Sequence, residues 1–430
     1  MTIVVVGMLD EREEALRLLK EHIEQRGHET LLIDISIGTG AIAPSLNAEV
    51  TNDEVAEAGG TTIDEIRQVL IKEREKATSM MAAGLSGKVL ECYQSSRLDG
   101  IIAVGGMTGT FLSLNAMKAL PFGVPKLLIS STVSMPAYAR RLAEYLGLRD
   151  ITVMNTVVDT VGLNPLVRRL MVNGAGAICG MVDGFETIKE EEKSAVALTE
   201  FGFCDQCAHY VREGLEQEKY NPISFHATGL GDKAAEDLVN QGLLDAFIDL
   251  VPASLSEHIL GGNRDAGPNR LEAAVNQAIP YILTPCGFDM LSCGPIERRD
   301  KDDPLWVSRN LADRKLLLQD AMRVQARTSA EEMVSIARIV AEKLNRHREK
   351  RLVKFLIPTK GFSSLSGEGG VLHDPTADKA FVDELGKSLD PEIRIIEIKA
   401  HINTQEFAGA VVEALKDSFK YQAKQNQPGL

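Results

Sequence analysis

The sequence predicts an α/β protein built from two doubly wound domains with mainly parallel sheets. Three observations carry this. Short apolar runs that read as strands alternate with helical patterns along the whole chain. The alternation pauses at a charged break, Lys189–Lys193 (KEEEK), and then restarts. At 430 residues the chain is also too long for one compact core and suggests two domains of roughly 200 residues each. The boundary falls at the break, giving an N-terminal domain over 1–190 and a C-terminal domain over 191–430.

In the first half, strands are expected at Ile3–Val6, Thr30–Ile35, Gly100–Val104 and Lys126–Ser130. The intervening periodicity predicts helices over about Glu11–Arg26, Ile63–Tyr93 and Thr110–Ala119. A polar helix-like insert, Ala137–Gly147, follows the fourth strand, and apolar periodicity returns over Leu166–Val182. In the second half, strands are expected at Ala195–Thr199 and near Ile223–His226, Ala246–Leu250, Tyr281–Thr284, Val353–Pro358 and Arg394–Ile398, with helices between them. Glu297–Asp303 reads as a charged loop. Thr359–Pro375, rich in glycine and serine, reads as a long loop of the kind that serves as a lid or binding loop. Gln422–Leu430 reads as a frayed tail.

Composition narrows the function classes. The chain is 44% hydrophobic and 25% charged, ordinary for a globular protein, and its net charge of −14 comes without a basic tract. That argues against a nucleic-acid backbone as partner. No apolar stretch reaches the ~18 residues that span a bilayer, and MTIVVVGML reads as a first strand rather than a signal peptide, so a cytoplasmic protein is expected. Six cysteines in this length do not make a disulfide framework. Cys204 and Cys207 form a CxxC that a redox pair could use, but neither a thioredoxin-like context nor further ligands at structural-zinc spacing accompany it. No metal site is expected.

The most informative segment is Asp99–Ser131, DGIIAVGGMTGTFLSLNAMKALPFGVPKLLISS. It reads as a strand, a loop of Gly105, Gly106, Met107, Thr108, Gly109 and Thr110, a helix, and a second strand ending in hydroxyls. Glycines between strand and helix let backbone N–H groups approach a ligand, and the helix N-terminus behind them favours negative charge. The loop is neither G-x-G-x-x-G nor a Walker sequence, so an ordinary βα turn stays open beside the phosphate-binding reading. In parallel sheets ligands gather at the carboxyl ends of strands. The other residues expected there are Gly7, Met8, Leu9 and Asp10 after the first strand, Asp34 and Ser36 after the second, and Ser130, Ser131 and Thr132 after the fourth. Asp34 stands where a doubly wound fold places a ribose-binding carboxylate, although a turn-capping role fits the same position.

In the second half, His226 begins a glycine-rich strand end, HATGLG, and could be an acid, a base or an anion contact, or equally a hydrogen-bonded structural histidine. Arg270 follows a turn. Asp289 lies just past a strand, beside Cys286. Lys360 and His373 lie on the long glycine-rich loop. His226, Arg270, Asp289 and His373 are the catalytic candidates, and a small carboxylate or acyl substrate in a cleft between the domains is the chemistry they suggest.

Two long runs, VGGMTGTFLSLNAMKALPFGVPKLLISST and VVDTVGLNPLVRRLMVNGAGAICGMV, together with FHATGLGDKAAEDLV, GPNRLEAAVNQAIP, HDPTADKAF and AHINTQEFA, resemble the tomato mosaic virus resistance protein family over essentially the whole chain. The resemblance implies two Rossmann-like domains, ATP (with Mg²⁺) held mainly by the first, and a homodimer. It also implies that the plant member acts as an inhibitory module on a viral helicase. Three departures bear on the ligand. The family's first loop, G-T-x-D-T-K, is here Gly7-Met-Leu-Asp-Glu-Arg12, which keeps Asp10 but sets Glu11 where it would repel a phosphate unless Arg12 compensates. The family's GGSGGT is here Gly105–Thr110, which loses a hydroxyl at Met107. Residues 134–147 are also rewritten. A nucleotide of another shape, a CoA thioester or a phosphorylated acid would use similar donors. The sequence therefore leaves three readings open: a nucleotide-binding protein, an enzyme of small organic acid or acyl-CoA metabolism, and an interaction module.

Overall fold

The computed structural model of the chain describes residues 1–40, 43–184 and 193–425. By its contacts the chain divides into two compact units, Met1–Glu190 and Glu191–Leu430. Residues 189–192 of the charged break lie outside the described residues.

Unit 1 is a five-stranded parallel sheet of β1 (Thr2–Gly7), β2 (Glu29–Asp34), β3 (Gly100–Gly105), β4 (Lys126–Ser130) and β5 (Thr152–Asn155), in the order β2-β1-β3-β4-β5. Every residue of β3 and β4 is buried, as strands covered on both faces require. Alternation along each strand splits the core in two. Ile3, Val5, Ile102 and Val104 pack on one face with helices α1 (Leu9–Glu24) and α7 (Pro165–Asp183). Val4, Val6, Ile101 and Ala103 pack on the other with α2 (Asn52–Ala58), α3 (Ile63–Lys72), α4 (Arg74–Gln94), α5 (Met107–Ala119) and α6 (Ala139–Leu146).

Three departures from the sequence reading occur in this unit. The single helix expected over Ile63–Tyr93 is two, broken at Glu73 (φ −136°, ψ 62°), because the apolar stripe does not run through: Ile71 is 86% exposed amid charged neighbours. α2 was not anticipated, and it is closed by a capping box in which Thr51 and Glu54 satisfy each other's backbone N–H. β5 was missed because an edge strand of four residues, half exposed, carries no apolar run.

Unit 2 contains a six-stranded parallel sheet. Its strands are β6 (Ala195–Glu200), β7 (Asn221–His226), β8 (Ala246–Asp249), β9 (Tyr281–Leu283), β13 (Val353–Pro358) and β14 (Arg394–Ile398), in the order β14-β13-β9-β8-β6-β7. An antiparallel three-stranded sheet of β10 (Met290–Ser292), β11 (Leu316–Leu318) and β12 (Val324–Arg327) is inserted between β9 and β13 and was not foreseen; strands of three or four residues are too short to show a period. The Glu297–Asp303 segment holds a short 3₁₀ turn, Ile296–Lys301. The Thr359–Pro375 loop carries no helix or strand until Pro375 opens a helix. The tail expected from Gln422 is instead helical to Gln425, at the end of Gln405–Gln425, and residues 426–430 lie outside the described residues. Both units thus have the α/β architecture of Rossmann-like domains. Among the described residues no helix is long and apolar enough to cross a membrane.

Candidate functional site: the carboxyl edge of the unit 1 sheet

Strand order fixes where unit 1 opens. β1 has β2 on one side and β3 on the other, so the helices after β1 and β3 leave on opposite faces, the arrangement at which open α/β sheets place their ligand crevices. Register aligns Gly7 with Asp34 and Val104, and Gly105 with Ser130, so the loops named from sequence share one edge.

The first loop is a hydrogen-bonded clip. Asp34 Oδ1 accepts from the N–H of Leu9 (3.1 Å), the N–H of Ser36 (2.9 Å) and the Ser36 hydroxyl (2.5 Å). Ser36 Oγ in turn accepts from the Asp10 N–H (3.1 Å). Burial raises the Asp34 carboxyl above its ordinary value, against the pull of those donors. The turn-stabilising role left open for Asp34 is therefore the one its geometry displays. Gly7, Met8 and Leu9 are buried. Asp10 is 7% exposed; its Oδ2 accepts from the Gly40 N–H (3.0 Å), while its Oδ1 is buried without a hydrogen-bond partner.

The second loop leaves donors free. Gly106 caps α5 with no side-chain help, and the first bond of the helix runs from the Thr110 N–H to the Gly106 carbonyl (2.9 Å). The N–H groups of Met107, Thr108 and Gly109 have no acceptor among the described residues. A Cβ at Gly105 would lie 2.7 Å from backbone atoms of Gly109 and Thr110, so only glycine lets the first turn of α5 sit on the strand end. A Cβ at Gly106 would lie 2.7 Å from Arg12 Nη2, which places that guanidinium against the uncapped turn.

Arg12 is 4% exposed and leaves helical geometry inside α1 (φ −135°, ψ 25°). Its Nε donates to Thr160 Oγ1 (2.8 Å), its Nη2 to Asp159 (3.1 Å) and its Nη1 to Glu11. The condition under which Glu11 would not repel a phosphate, compensation by Arg12, is met here by a direct ion pair. Asp159 and Thr160 were missed; they follow β5, the strand that was not recognised. At the ends of β3 and β4, the buried hydroxyls of Thr110 and Ser130 bond to each other (2.7 Å), and the Thr132 N–H donates to Ser130 Oγ (3.1 Å). Gly106, Met107, Thr108, Ser131 and Thr132 are half-buried, whereas Gly105, Gly109, Thr110 and Ser130 are buried.

Among the described residues no hydrogen bond or ion pair joins any two of the unit 2 candidates. His226 is exposed at the end of edge strand β7. Arg270 is 1% exposed and its guanidinium is spent on Asp249 (2.8 Å), Glu236 (3.1 Å), Asp232 (3.2 Å) and Ser254 (2.9 Å). Its placement is that of an internal counter-ion, not of a cation facing a substrate. Burial pushes Glu236 up to about 7 despite Arg270. Asp289 is wholly buried and accepts from the Ser363 hydroxyl (2.5 Å) and the Gly287 N–H (3.0 Å). His373 lines a cavity at the end of β13. Cys204, Cys207 and Cys286 are buried, and burial pushes the Cys207 and Cys286 thiols well up, the opposite of what a reactive thiolate needs.

Comparison with known proteins places the chain. Residues 1–187 match the N-terminal domain, and residues 193–419 the C-terminal domain, of the uncharacterised protein family UPF0261. A UPF0261 protein of Clostridium tetani is 33% identical over 415 residues, covering 96% of this chain and 98% of that one. One from Brucella suis is 31% identical over 409 residues, covering 94% and 93%. The ToMV resistance protein Tm-1(GCR237) of Solanum lycopersicum is 29% identical over 426 residues, spanning 95% of this chain but 54% of the tomato protein. Among solved structures, a UDP-GlcNAc 2-epimerase from Neisseria meningitidis bound to UDP-GlcNAc aligns at 11% identity over 66% of this chain and 77% of that one, with a TM-score of 0.23. The chain belongs to the uncharacterised protein family UPF0261.

Proposed function

We propose that unit 1 binds a small phosphate-bearing ligand, ATP with Mg²⁺ being the first candidate, in the crevice between the loops after β1 and β3. One observation carries this reading: the uncapped first turn of α5, with its free N–H groups, faces the Arg12 guanidinium at the switch point of the sheet. Phosphate oxygens would accept from Met107, Thr108 and Gly109, with Ser131 and Thr132 at the rim. The unpartnered Oδ1 of Asp10 suits a ribose hydroxyl or a metal-bound water. Asp10, Glu11 and Asp159 outnumber Arg12 here, so a bare triphosphate would be repelled and its charge must arrive partly neutralised, which is the part Mg²⁺ plays in this reading. Binding in the cytoplasm by a homodimer belongs to the same proposal and rests on the family resemblance.

Calorimetric titration with ATP–Mg²⁺ tests it, with Gly106→Asp as the control. The wild type binds and the variant, whose carboxylate occupies the phosphate position, does not. Failure of the wild type to bind ATP, ADP or a CoA thioester would refute the reading.

A further inference from the structure

A cavity of about 830 Å³ opens at the carboxyl ends of β13 and β14, within unit 2 and independent of the unit 1 reading. Its volume is that of a small-molecule site. One wall is the Thr359–Pro375 loop, which is held rather than loose. The N–H groups of Thr359 and Lys360 donate to the carbonyls of Ile398 and Ala400 (2.9 and 3.1 Å). Ser366 Oγ accepts from the N–H groups of Phe362 and Ser363 (3.0 and 3.1 Å), and the Ser363 hydroxyl is tied to buried Asp289. Gly361, at φ +135°, makes the fold-back possible: a Cβ there would lie 2.7 Å from His401 Cδ2.

The side chains that line the cavity divide into committed and uncommitted groups. His401 has both ring nitrogens engaged, Nε2 with the Ser363 carbonyl (3.0 Å) and Nδ1 with the Asn403 N–H (3.1 Å). Asp378 is paired with Arg327, and Lys379 with Asp383. By contrast His373 is oriented but not used up. Its Nδ1 lies 2.8 Å from the Ser366 carbonyl, which can only accept, so Nδ1 carries the proton and the neutral ring keeps a lone pair on Nε2. Among the described residues that Nε2, the Lys360 ammonium and the carboxylates of Glu368 and Glu397 have no hydrogen-bond or ion-pair partner; all four residues line the cavity, and Lys360, Glu368 and Glu397 are exposed.

From this set of uncommitted groups we infer that the cavity binds a small hydroxylated carboxylic acid, its carboxylate on Lys360 and its hydroxyl hydrogens on His373 Nε2 and Glu397. A neutral polyol would leave Lys360 without a counter-charge, and an acid without hydroxyls would leave His373 Nε2, Glu368 and Glu397 without a donor. Burial, with Asp289 nearby, pushes Asp378, which also lines the cavity, up to about 6 against the pull of Arg327.

The test is NMR of the full chain, following imidazole ¹⁵N signals while gluconate is added to about 10 mM. Gluconate should shift the His373 Nε2 resonance in a saturable way, while glycerol and propionate leave it in place. Lys360→Gln, followed by the same His373 signal, and His373→Gln, followed by calorimetric titration, both checked for an unchanged melting temperature, should each weaken gluconate by about tenfold or more. Lys360 is exposed, so its variant is expected to fold whatever His373 does. No response to gluconate, equal affinity in Lys360→Gln, or a response to propionate as large as that to gluconate would each overturn the assignment.

Discussion

The two units wind their sheets alike and use the same position differently. In unit 1, β1 lies between β2 and β3; in unit 2, β6 lies between β7 and β8, and each sheet therefore has a switch point beside its first strand. At the unit 1 point the chain leaves N–H groups uncapped and a carboxylate oxygen unpartnered. At the unit 2 point the same region is filled. The Thr199 hydroxyl donates to Asp249 (2.6 Å), Arg270 and Tyr281 close on that carboxylate, and Val251 to Leu255 are buried behind it. A cavity of unit 2 lies further along the sheet, at β13 and β14. Topology supplies a crevice, and the side chains decide whether it stays empty.

The largest effect should come from emptying the filled point. Arg270→Met removes the cation shared by Asp232, Glu236 and Asp249 and strands buried carboxylates, a loss of about 3–5 kcal/mol in urea unfolding. A near-neutral result would mean that packing, and not the ion network, fills this region. Next is the open point: in Gly105→Ala the added Cβ presses on backbone that cannot swing aside, costing about 1–3 kcal/mol and shifting the first turn of α5, so stability and ligand binding fall together. Normal binding in that variant would detach the ligand from the loop.

A pH profile sharpens the contrast further. Glu236 keeps its proton in the folded chain up to about 7, whereas the unfolded chain releases it near 4.5. Between those values the native state holds more protons, so this group's contribution is complete below about 4.5 and is lost as pH rises through about 7. The urea midpoint should fall across that window, and Glu236→Gln should flatten the slope; an identical slope in the variant would assign the effect elsewhere. The smallest effect is expected for Ser36→Ala, about 1 kcal/mol, because the Asp10 N–H and one donor to Asp34 are lost while the Leu9 bond remains. Thermal unfolding reads it.

How much of this was legible in the sequence follows from the range of the forces involved. Parallel strands such as Lys126–Ser130 and Val353–Pro358 announce themselves because burial on both faces demands an unbroken apolar run. The Gly105–Thr110 loop was legible because close backbone approach demands glycine. β5 and the antiparallel strands β10 to β12 were not, being too short to carry a pattern. A charge in sequence does not reveal its partners, so Arg270 reads there as a candidate to face a ligand, whereas in the fold its partners stand 16 to 38 residues away. Asp34 was ambiguous for a similar reason: the Leu9 N–H that engages it lies 25 residues upstream. Which histidine nitrogen is free at His373 depends on a carbonyl seven residues earlier, and only folding brings the two together.

The most direct test of the central contrast is hydrogen exchange of the full chain with and without ATP–Mg²⁺. The account predicts slowed exchange in the first turn of α5, residues 106–110, and no change at residues 199–204 and 250–257 of the filled point. Protection at the unit 2 segments with none at residues 106–110 would contradict it.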